Sequence, residues 1–200
     1  MNPIFGDFCG AAIKLDPRDL DLLAAEAEIE TAALRAVIAV ESSGSGFDSA
    51  GRPKILFEPH IFFKRLSGEQ RSRAVEQGLA YGKWGDKPYP KGGNAQYERL
   101  NKAMEINQSA ALCSASWGMG QIMGFNHRMV GYGDVETMVL ACLDNEANHI
   151  RMMLNFIRSS GLMDELRTRD WAGFARGYNG PGFAKNAYDI KLAQAYAKFK

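Results

Sequence analysis

The sequence has few of the residues that build disulfide frameworks and metal sites. Its 200 residues include 3 cysteines and 3 histidines. The cysteines are odd in number and widely spaced among small or apolar neighbours, which predicts reduced core thiols and not a disulfide set. His60, His127 and His149 lie on separate segments without the spacing of metal ligands. We therefore expect no bound metal and no other cofactor.

Long apolar runs and an excess of charge of one sign are also missing. No stretch approaches the roughly 20 apolar residues of a membrane span, so we expect no stable membrane insertion. The first residues, MNPIFGDFCG, lack the basic and apolar regions of a signal peptide, which predicts synthesis in the cytoplasm. The formal net charge of +1 lacks the basic excess typical of nucleic-acid binding, so no nucleic-acid partner is expected.

The dominant pattern that the sequence does contain is helical periodicity. No repeat or linker interrupts the chain. Its length suits one compact domain whose core is large enough to be stable without disulfides or a structural metal. The Gly- and Ser-rich segment 42–58, briefly apolar near its end, predicts loops and one small β-hairpin. Helices are predicted from Asp16-Pro17, over about 28–41, from Ser67 to near Gly78, from Asn94, from Asp134 to Gly161, over 171–178 and over 187–199. The fold class predicted is therefore α+β and predominantly α-helical.

The stretch AVIAVESSGSG, residues 36–46, carries a carboxylate to the end of an apolar helix. Glu41 shares a helix face with Val37 and Ile38. Apolar neighbours and the negative end of the helix dipole both disfavour the ionised form, so the pKa of Glu41 should be raised. A carboxylic acid that keeps its proton near neutral pH suits general acid catalysis. This window alone leaves open a structural glutamate that a distant arginine or backbone amides satisfy.

Three segments carry a resemblance to a known superfamily. AVESSG (39–44) resembles the glutamate-serine motif of the lysozyme-like superfamily, which includes goose-type lysozymes and soluble lytic transglycosylases. GMGQIM (118–123) and GYNGPG (177–182) resemble the two motifs that follow in that superfamily, in the same order. Each motif alone is a weak signal, and the three in order make a strong one.

A closer similarity is to the N-acetylmuramidase family of bacteriophage endolysins. It rests on ILFEPHIF (55–62), SWGMGQIMG (116–124) and YNGP (178–181), and it extends from about residue 16 to the end of the sequence. The resemblance implies a lysozyme-like fold with a small β-hairpin beside the substrate cleft. It further implies a peptidoglycan hydrolase that cuts the β-1,4 bond between N-acetylmuramic acid and N-acetylglucosamine, with Glu41 as the general acid.

The resemblance also carries expectations about organisation and location. Because the match begins so early, we expect residues 1–200 to form one catalytic domain without a separate wall-binding domain. The expected partner is bacterial peptidoglycan, and the protein is expected to act as a monomer. Without a signal peptide, it would be made in the host cytoplasm and reach the wall through a holin-type pore formed by another phage protein.

Two residues are candidates for a second carboxylate opposite Glu41. Asp48 lies in the loop after Glu41, and Glu58 ends the short apolar segment before His60. A hairpin in this position lines the cleft of lysozyme-like folds, so the resemblance implies that either carboxylate can face the scissile bond. Asp48 can instead form a turn, and Glu58 can anchor a loop. The sequence does not decide between them, nor between retention and inversion.

The remaining motif residues are predicted to hold the sugar. Trp117 can stack on a pyranose ring, and the amides of Gln121 and Asn179 suit acetamido and hydroxyl groups. The Tyr178 hydroxyl can donate to Glu41 or to the substrate. Ser42 and His60 complete the predicted substrate-binding set. Core packing is the alternative for Trp117, and it is preferred for Met119, Ile122 and Met123.

Two other functions stay open on the sequence. A lytic transglycosylase cuts the same bond, but the C6 hydroxyl of the muramyl residue attacks, so a 1,6-anhydro product forms and no second carboxylate is required. A noncatalytic wall-binding or virion protein would bind the wall without releasing fragments. For that class the carboxylate of Glu41 would be dispensable.

Overall fold

The computed structural model describes residues 6–42, 44–86, 89 and 92–200. Within these residues the helices are α1 Pro17–Ala27, α2 Thr31–Glu41, α3 Pro59–Arg65, α4 Gly68–Glu76, α5 Gly93–Met104, α6 Gln108–Cys113, α7 Val135–Asp144, α8 Glu146–Ser159, α9 Met163–Thr168, α10 Trp171–Asn179 and α11 Tyr188–Phe199. The strands are β1 Ile55–Phe57, β2 Ala115–Trp117 and β3 Ile122–Met123. The predicted α+β class with mostly helix is confirmed. None of the described helices is long and apolar enough to cross a membrane.

The strands form one antiparallel sheet in the order β1-β2-β3. The hairpin is made by β2 and β3, within the SWGMGQIM segment, and β1 pairs with the distant β2. The prediction of a hairpin within 42–58 was wrong: among the described residues of this segment, Phe47 and Pro53 form one isolated bridge, and residues 55–57 pair with β2 instead. The Asp48 carboxylate accepts the backbone N–H groups of Ala50 and Arg52 at 2.9 and 3.0 Å. Backbone N–H groups that donate to a side chain cannot also form the inter-strand hydrogen bonds of a hairpin.

The helix predicted from Asp134 to Gly161 is broken in the structure. Asn145 has extended dihedral angles, φ −154° and ψ 157°, and its side chain accepts the N–H of Asn148 at 2.8 Å. The next N–H, that of Glu146, donates to Ile13 O at 2.9 Å. A capping asparagine and a tertiary backbone contact therefore divide the segment into α7 and α8.

Other helix boundaries differ from the prediction by a few residues. α2 begins at Thr31, because Glu28 takes a left-handed conformation, φ 56°, that ends α1. α5 begins at Gly93, so Asn94 lies inside the helix and does not cap it. Ser67 precedes α4 without a capping hydrogen bond from its side chain. The segment 81–93, with two prolines and four glycines, is predicted to be an aromatic loop. Its residues 87, 88, 90 and 91 lie outside the described part of the chain.

Two apolar clusters meet at the β2–β3 turn. Trp117 and Ile122 belong to the cluster around the sheet and α5 to α7, whereas Met119 packs with Leu34 and Val37 of α2. The turn is thereby fixed between the sheet and the helix that carries Glu41. The cysteine prediction is confirmed for two buried thiols and wrong for the exposed Cys9.

Candidate active site

Glu41 is the last residue of α2, as the sequence predicts. The helix buries Leu34 and Val37 completely, and Glu41 lies one turn further on the same face. Ser42 has extended dihedral angles, φ −111° and ψ 151°, and its N–H donates to Ile38 O at 2.9 Å. The helix therefore stops directly after the carboxylate, which leaves the side chain partly buried.

The carboxylate of Glu41 is held by the last residue of another helix. Asn179, at the end of α10, donates from Nδ2 to Oε1 at 3.1 Å and to Oε2 at 3.2 Å. Burial raises the pKa of Glu41 above its ordinary value, and the hydrogen bond from Asn179 offsets part of that rise. The result is an acid that retains its proton to higher pH than a surface glutamate and keeps a fixed orientation.

Tyr178 lies beside this carboxylate in an aromatic environment. Its ring stacks on Phe174, with centroids 5.3 Å apart, and meets Phe156 edge to face at 5.8 Å. Burial raises the pKa of Tyr178, and the nearby charge of Glu41 raises it further. The phenol therefore stays protonated as a potential donor. In the described residues the donor that reaches Glu41 is the Asn179 amide.

A groove of about 470 Å³ adjoins the loop that leaves Glu41. Asp48, Lys54, Gln96, Tyr97 and Gln121 contribute to its lining. The loop and the groove are joined by the N–H of Lys54, which donates to Gly46 O at 2.8 Å. The groove thus presents carboxylate, ammonium and amide groups close to the segment that Glu41 introduces.

Asp48 reaches this groove as part of a tight turn. Arg52 donates to Asp48 Oδ2 from Nε at 3.0 Å and from Nη2 at 2.8 Å. Burial opposes the ionisation of Asp48, but the hydrogen bonds from Arg52 and Ala50 outweigh it and lower the pKa of the carboxyl. Asp48 is therefore ionised at neutral pH, with both of its oxygens in use within the protein.

Gln121 is also engaged inside the protein. Its backbone is left-handed, φ 48°. Its Nε2 donates to Gly118 O at 2.8 Å and to Lys54 O at 3.1 Å, and its Oε1 accepts from the Ser116 hydroxyl at 2.8 Å. The side-chain amide thus fastens the β2–β3 turn to the start of β1, while the exposed side chain lines the groove.

Glu58 and His60 lie at the opposite end of β1 from Lys54. The Tyr89 hydroxyl donates to Glu58 Oε2, and His60 Nδ1 lies 3.2 Å from the same oxygen without hydrogen-bond geometry. Neither Glu58 nor His60 belongs to the lining of the groove. The two carboxylate candidates are therefore separated by the length of the strand.

The structure does not support Trp117 as a stacking platform. Its side chain is 1% exposed, and Nε1 donates to Leu112 O at 3.1 Å inside the core. Neither face of the indole is open to a sugar ring, so this prediction was wrong for the arrangement described here. All three residues of β2 are buried, so both faces of this strand are covered by the protein.

Sequence reasoning missed two polar residues that contact the loop after Glu41. Glu146 and His149 are both buried in the first turns of α8. They share a helix face with the apolar Ile150 and Met153. A polar residue within an apolar stripe was the signal that identified Glu41, and the same signal was present here.

Comparison with known proteins shows to which family the chain belongs. The N-acetylmuramidase family matches residues 30–200, a range that contains Glu41, the β2–β3 motif and Asn179. The chain belongs to the N-acetylmuramidase family. As a member, it is a glycoside hydrolase of the lysozyme type, and the predicted resemblance is confirmed.

Solved structures include a similar protein. This N-acetylmuramidase is 37% identical to the endolysin of the Burkholderia phage AP3, with a TM-score of 0.85. The similarity covers 93% of this chain and 71% of that one. The comparison with curated proteins gave no significant match.

Replacement of the Asn179 amide should make Glu41 a weaker acid. In Asn179→Leu the volume is similar and water stays excluded, but the donor that favours the carboxylate is lost, so the pKa of Glu41 should rise further. We expect the alkaline limb of the lysis-rate profile to move to higher pH and the rate at its maximum to fall about tenfold, because the carboxyl is no longer oriented. Titration of the ¹³C-labelled Glu41 carboxyl by NMR measures the pKa directly.

The matched control for this substitution is Asn155→Leu. Asn155, on α8, also donates from Nδ2, but to Val130 O at 3.0 Å and not to Glu41. An unchanged Glu41 titration in Asn179→Leu, or the same displacement in both variants, would contradict the assigned role of Asn179.

Proposed function

We propose that this N-acetylmuramidase is an endolysin that cuts the β-1,4 bond between N-acetylmuramic acid and N-acetylglucosamine in peptidoglycan, with Glu41 as the general acid. The observation that carries the proposal is the partly buried Glu41 carboxyl at the end of α2, with a raised pKa and both oxygens within hydrogen-bond distance of Asn179. The likeness to a phage endolysin supports the same conclusion.

In the first step, Glu41 gives its proton to the glycosidic oxygen. Burial destabilises the carboxylate that remains after proton transfer, so it favours the protonated acid. The Asn179 amide has the opposite effect, because its hydrogen bonds stabilise the carboxylate as its charge develops. The two effects oppose one another. The net effect is a pKa of Glu41 above its ordinary value.

For the second carboxylate we favour Asp48 over Glu58. Asp48 is ionised, it lines the groove, and it lies on the loop that continues from Glu41. An ionised carboxylate in that position stabilises the positive charge of an oxocarbenium-like transition state. Glu58 lies beyond β1 and accepts the Tyr89 hydroxyl, so we assign it to anchoring the chain before α3.

One observation favours the transglycosylase alternative. Both oxygens of Asp48 accept hydrogen bonds from Arg52 and Ala50, which weakens its capacity to take a proton from an attacking water. A reaction in which the muramyl C6 hydroxyl attacks requires no such base from this loop. The two reactions leave chemically different ends on the muramyl residue.

Digestion of purified sacculi followed by mass spectrometry of the soluble muropeptides tests the proposal. We expect reducible muramyl ends, an about 100-fold slower release by Asp48→Asn, and release within about threefold of the wild type by Glu58→Gln. Products lighter by one water would identify a transglycosylase. Binding to sacculi without release would identify a noncatalytic wall protein.

The remaining expectations stay predictions of this proposal. They are a single catalytic domain, a monomeric state, synthesis in the host cytoplasm, and release to the wall through a pore made by another phage protein. The described helices contain no membrane span.

A further inference from the structure

The buried carboxylate of Glu146 joins three separate segments of the chain. Its Oε1 accepts the N–H of Gly46 at 2.7 Å and the hydroxyl of Ser45 at 2.9 Å, and its Oε2 accepts the N–H of Leu15 at 2.9 Å. Glu146 itself is 4% exposed. Ser45 and Gly46 belong to the loop that begins at Glu41, so α8 holds that loop by its backbone.

The neighbouring His149 joins the same loop to the β2–β3 turn. The ring is 2% exposed. Its Nε2 lies 2.8 Å from the backbone oxygen of Cys142, and its Nδ1 accepts the N–H of Met119 at 3.2 Å. A carbonyl on one side and an N–H on the other assign the neutral Nε2-protonated tautomer. Burial lowers the pKa of His149, in agreement with a neutral ring.

The imidazole also explains two glycines of the sequence motifs. A Cβ atom at Gly46 would lie 2.3 Å from His149 Nδ1, and one at Gly118 would lie 2.8 Å from His149 Cγ. Gly118 also has a positive φ of 68°. The ring thus fills the space between the SSGSG loop and the SWGMG turn, and only glycine fits on either side.

We propose that Glu146 and His149 are positioning residues, which hold the loop leaving Glu41 and the turn before Gln121 in one arrangement and thereby fix the surroundings of the Glu41 carboxyl. In its effect on catalysis the inference rests on the proposed function. Among the described residues, the hydrogen bonds to the Glu41 carboxyl come from Asn179 and not from Glu146 or His149. Each of the two acts through the loop and the turn.

The charges around both carboxylates are compatible with this role. Glu146 faces Lys14, whose Nζ lies 3.6 Å from Oε1, and the neutral His149. Burial opposes the ionisation of Glu146, but its hydrogen bonds from Leu15, Gly46 and Ser45 outweigh it and lower the pKa. Glu41 faces the neutral Asn179 and Tyr178. Because burial is what raises the pKa of Glu41, release of the loop should lower that pKa toward its ordinary value.

The test compares Glu146→Gln with Glu30→Gln. Glu30 also accepts two side-chain hydrogen bonds, from Arg169 at 2.8 Å and from Tyr196 at 2.5 Å, but it precedes α2, about 16 Å from the end that carries Glu41. Glu146→Gln should slow dye release from labelled sacculi about tenfold, raise the amide exchange rate of Gly46 at least about tenfold, and lower the pKa of Glu41 in an NMR titration. Glu30→Gln should leave the rate of dye release and the exchange rate of Gly46 within about twofold of the wild type. It should leave the pKa of Glu41 unchanged.

The NMR measurements need no substrate, so they separate this inference from the proposed function. If Glu41→Gln still lyses walls, the proposed function fails, and the positioning inference is judged by the exchange rate of Gly46 and the titration of Glu41. A folded Glu146→Gln variant with wild-type Gly46 exchange and wild-type Glu41 titration would overturn it.

If that variant does not fold, Ser45→Ala decides, since it removes one hydrogen bond to Glu146. A faster Gly46 exchange with a lower Glu41 pKa supports the inference, and no change overturns it.

Discussion

The Glu41→Gln variant is expected to lose wall lysis by about 1,000-fold or more while it folds normally. Glutamine keeps the size of the side chain and can accept from the Asn179 amide, but it has no proton to give to the glycosidic oxygen. Removal of a positioned general acid typically costs between about 100- and 10,000-fold in rate. Turbidity loss of outer-membrane-permeabilised cells and dye release from sacculi measure the effect.

The fold of this variant should be preserved for a local reason. Asn179 Oδ1 is buried and accepts no hydrogen bond from the described residues. A glutamine at position 41 can supply the missing donor from its amide, so both side chains form a reciprocal pair. Circular dichroism and the elution volume should match the wild type. Near-normal lysis by such a folded variant would remove Glu41 from the mechanism.

The same substitution has a second consequence, for stability against pH. The pKa of Glu41 is higher in the folded state than in the unfolded state, so the folded protein binds this proton more tightly. Its stabilising contribution is complete below the unfolded pKa and is lost as the pH rises through the folded pKa. Glu41→Gln lacks this loss, so its Tm should exceed that of the wild type near neutral pH, and the difference should shrink below about pH 4. A Tm difference that is constant with pH would contradict burial as the cause.

The Trp117→Ala variant is expected to lose about 3 to 5 kcal/mol of unfolding free energy. The indole is among the largest fully buried side chains, it lies 5.9 Å from Phe8 between ring centroids, and its N–H is bonded to Leu112 O. Truncation leaves a cavity and removes the hydrogen bond from the indole N–H to Leu112 O, two costs that add. Urea unfolding followed by circular dichroism gives the free energy.

The control for this effect is Trp84→Ala. Trp84 is 72% exposed, so its truncation should change the unfolding free energy by less than about 0.5 kcal/mol. Lysis rates measured well below the Tm of Trp117→Ala should stay close to those of the wild type once corrected for the folded fraction. A small loss of stability together with weaker binding to sacculi would restore Trp117 as a sugar contact.

The position of Glu41 at the end of an apolar helix was predictable because its signals are local. The apolar stripe of α2, the break after Glu41 and the adjacent serine and glycines all lie within 11 consecutive residues, 36–46. Helix periodicity and the end of the helix depend on near neighbours in the chain, so they can be read without a fold. The direction of the pKa shift followed from the same pattern.

Contacts between distant segments were not predictable in this way. β1 pairs with a strand some 60 residues away, and Asn145 divides a periodic segment because it meets Ile13. Trp117 is buried because both faces of β2 are covered by the protein. Periodicity in the sequence indicates on which face of a helix or strand a residue lies. It does not indicate which other segment packs against that face.

Residue types and short-range spacing were therefore enough to single out Glu41 and the family motifs, because an acid on an apolar helix face is anomalous wherever the helix packs. The partners of that acid depend on how the helices pack. Asn179 is 138 residues away along the chain from Glu41, and Glu146 is 100 residues from Gly46. Burial and hydrogen bonding between such segments exist once the chain has folded, and they decide both how strongly Glu41 holds its proton and where it points.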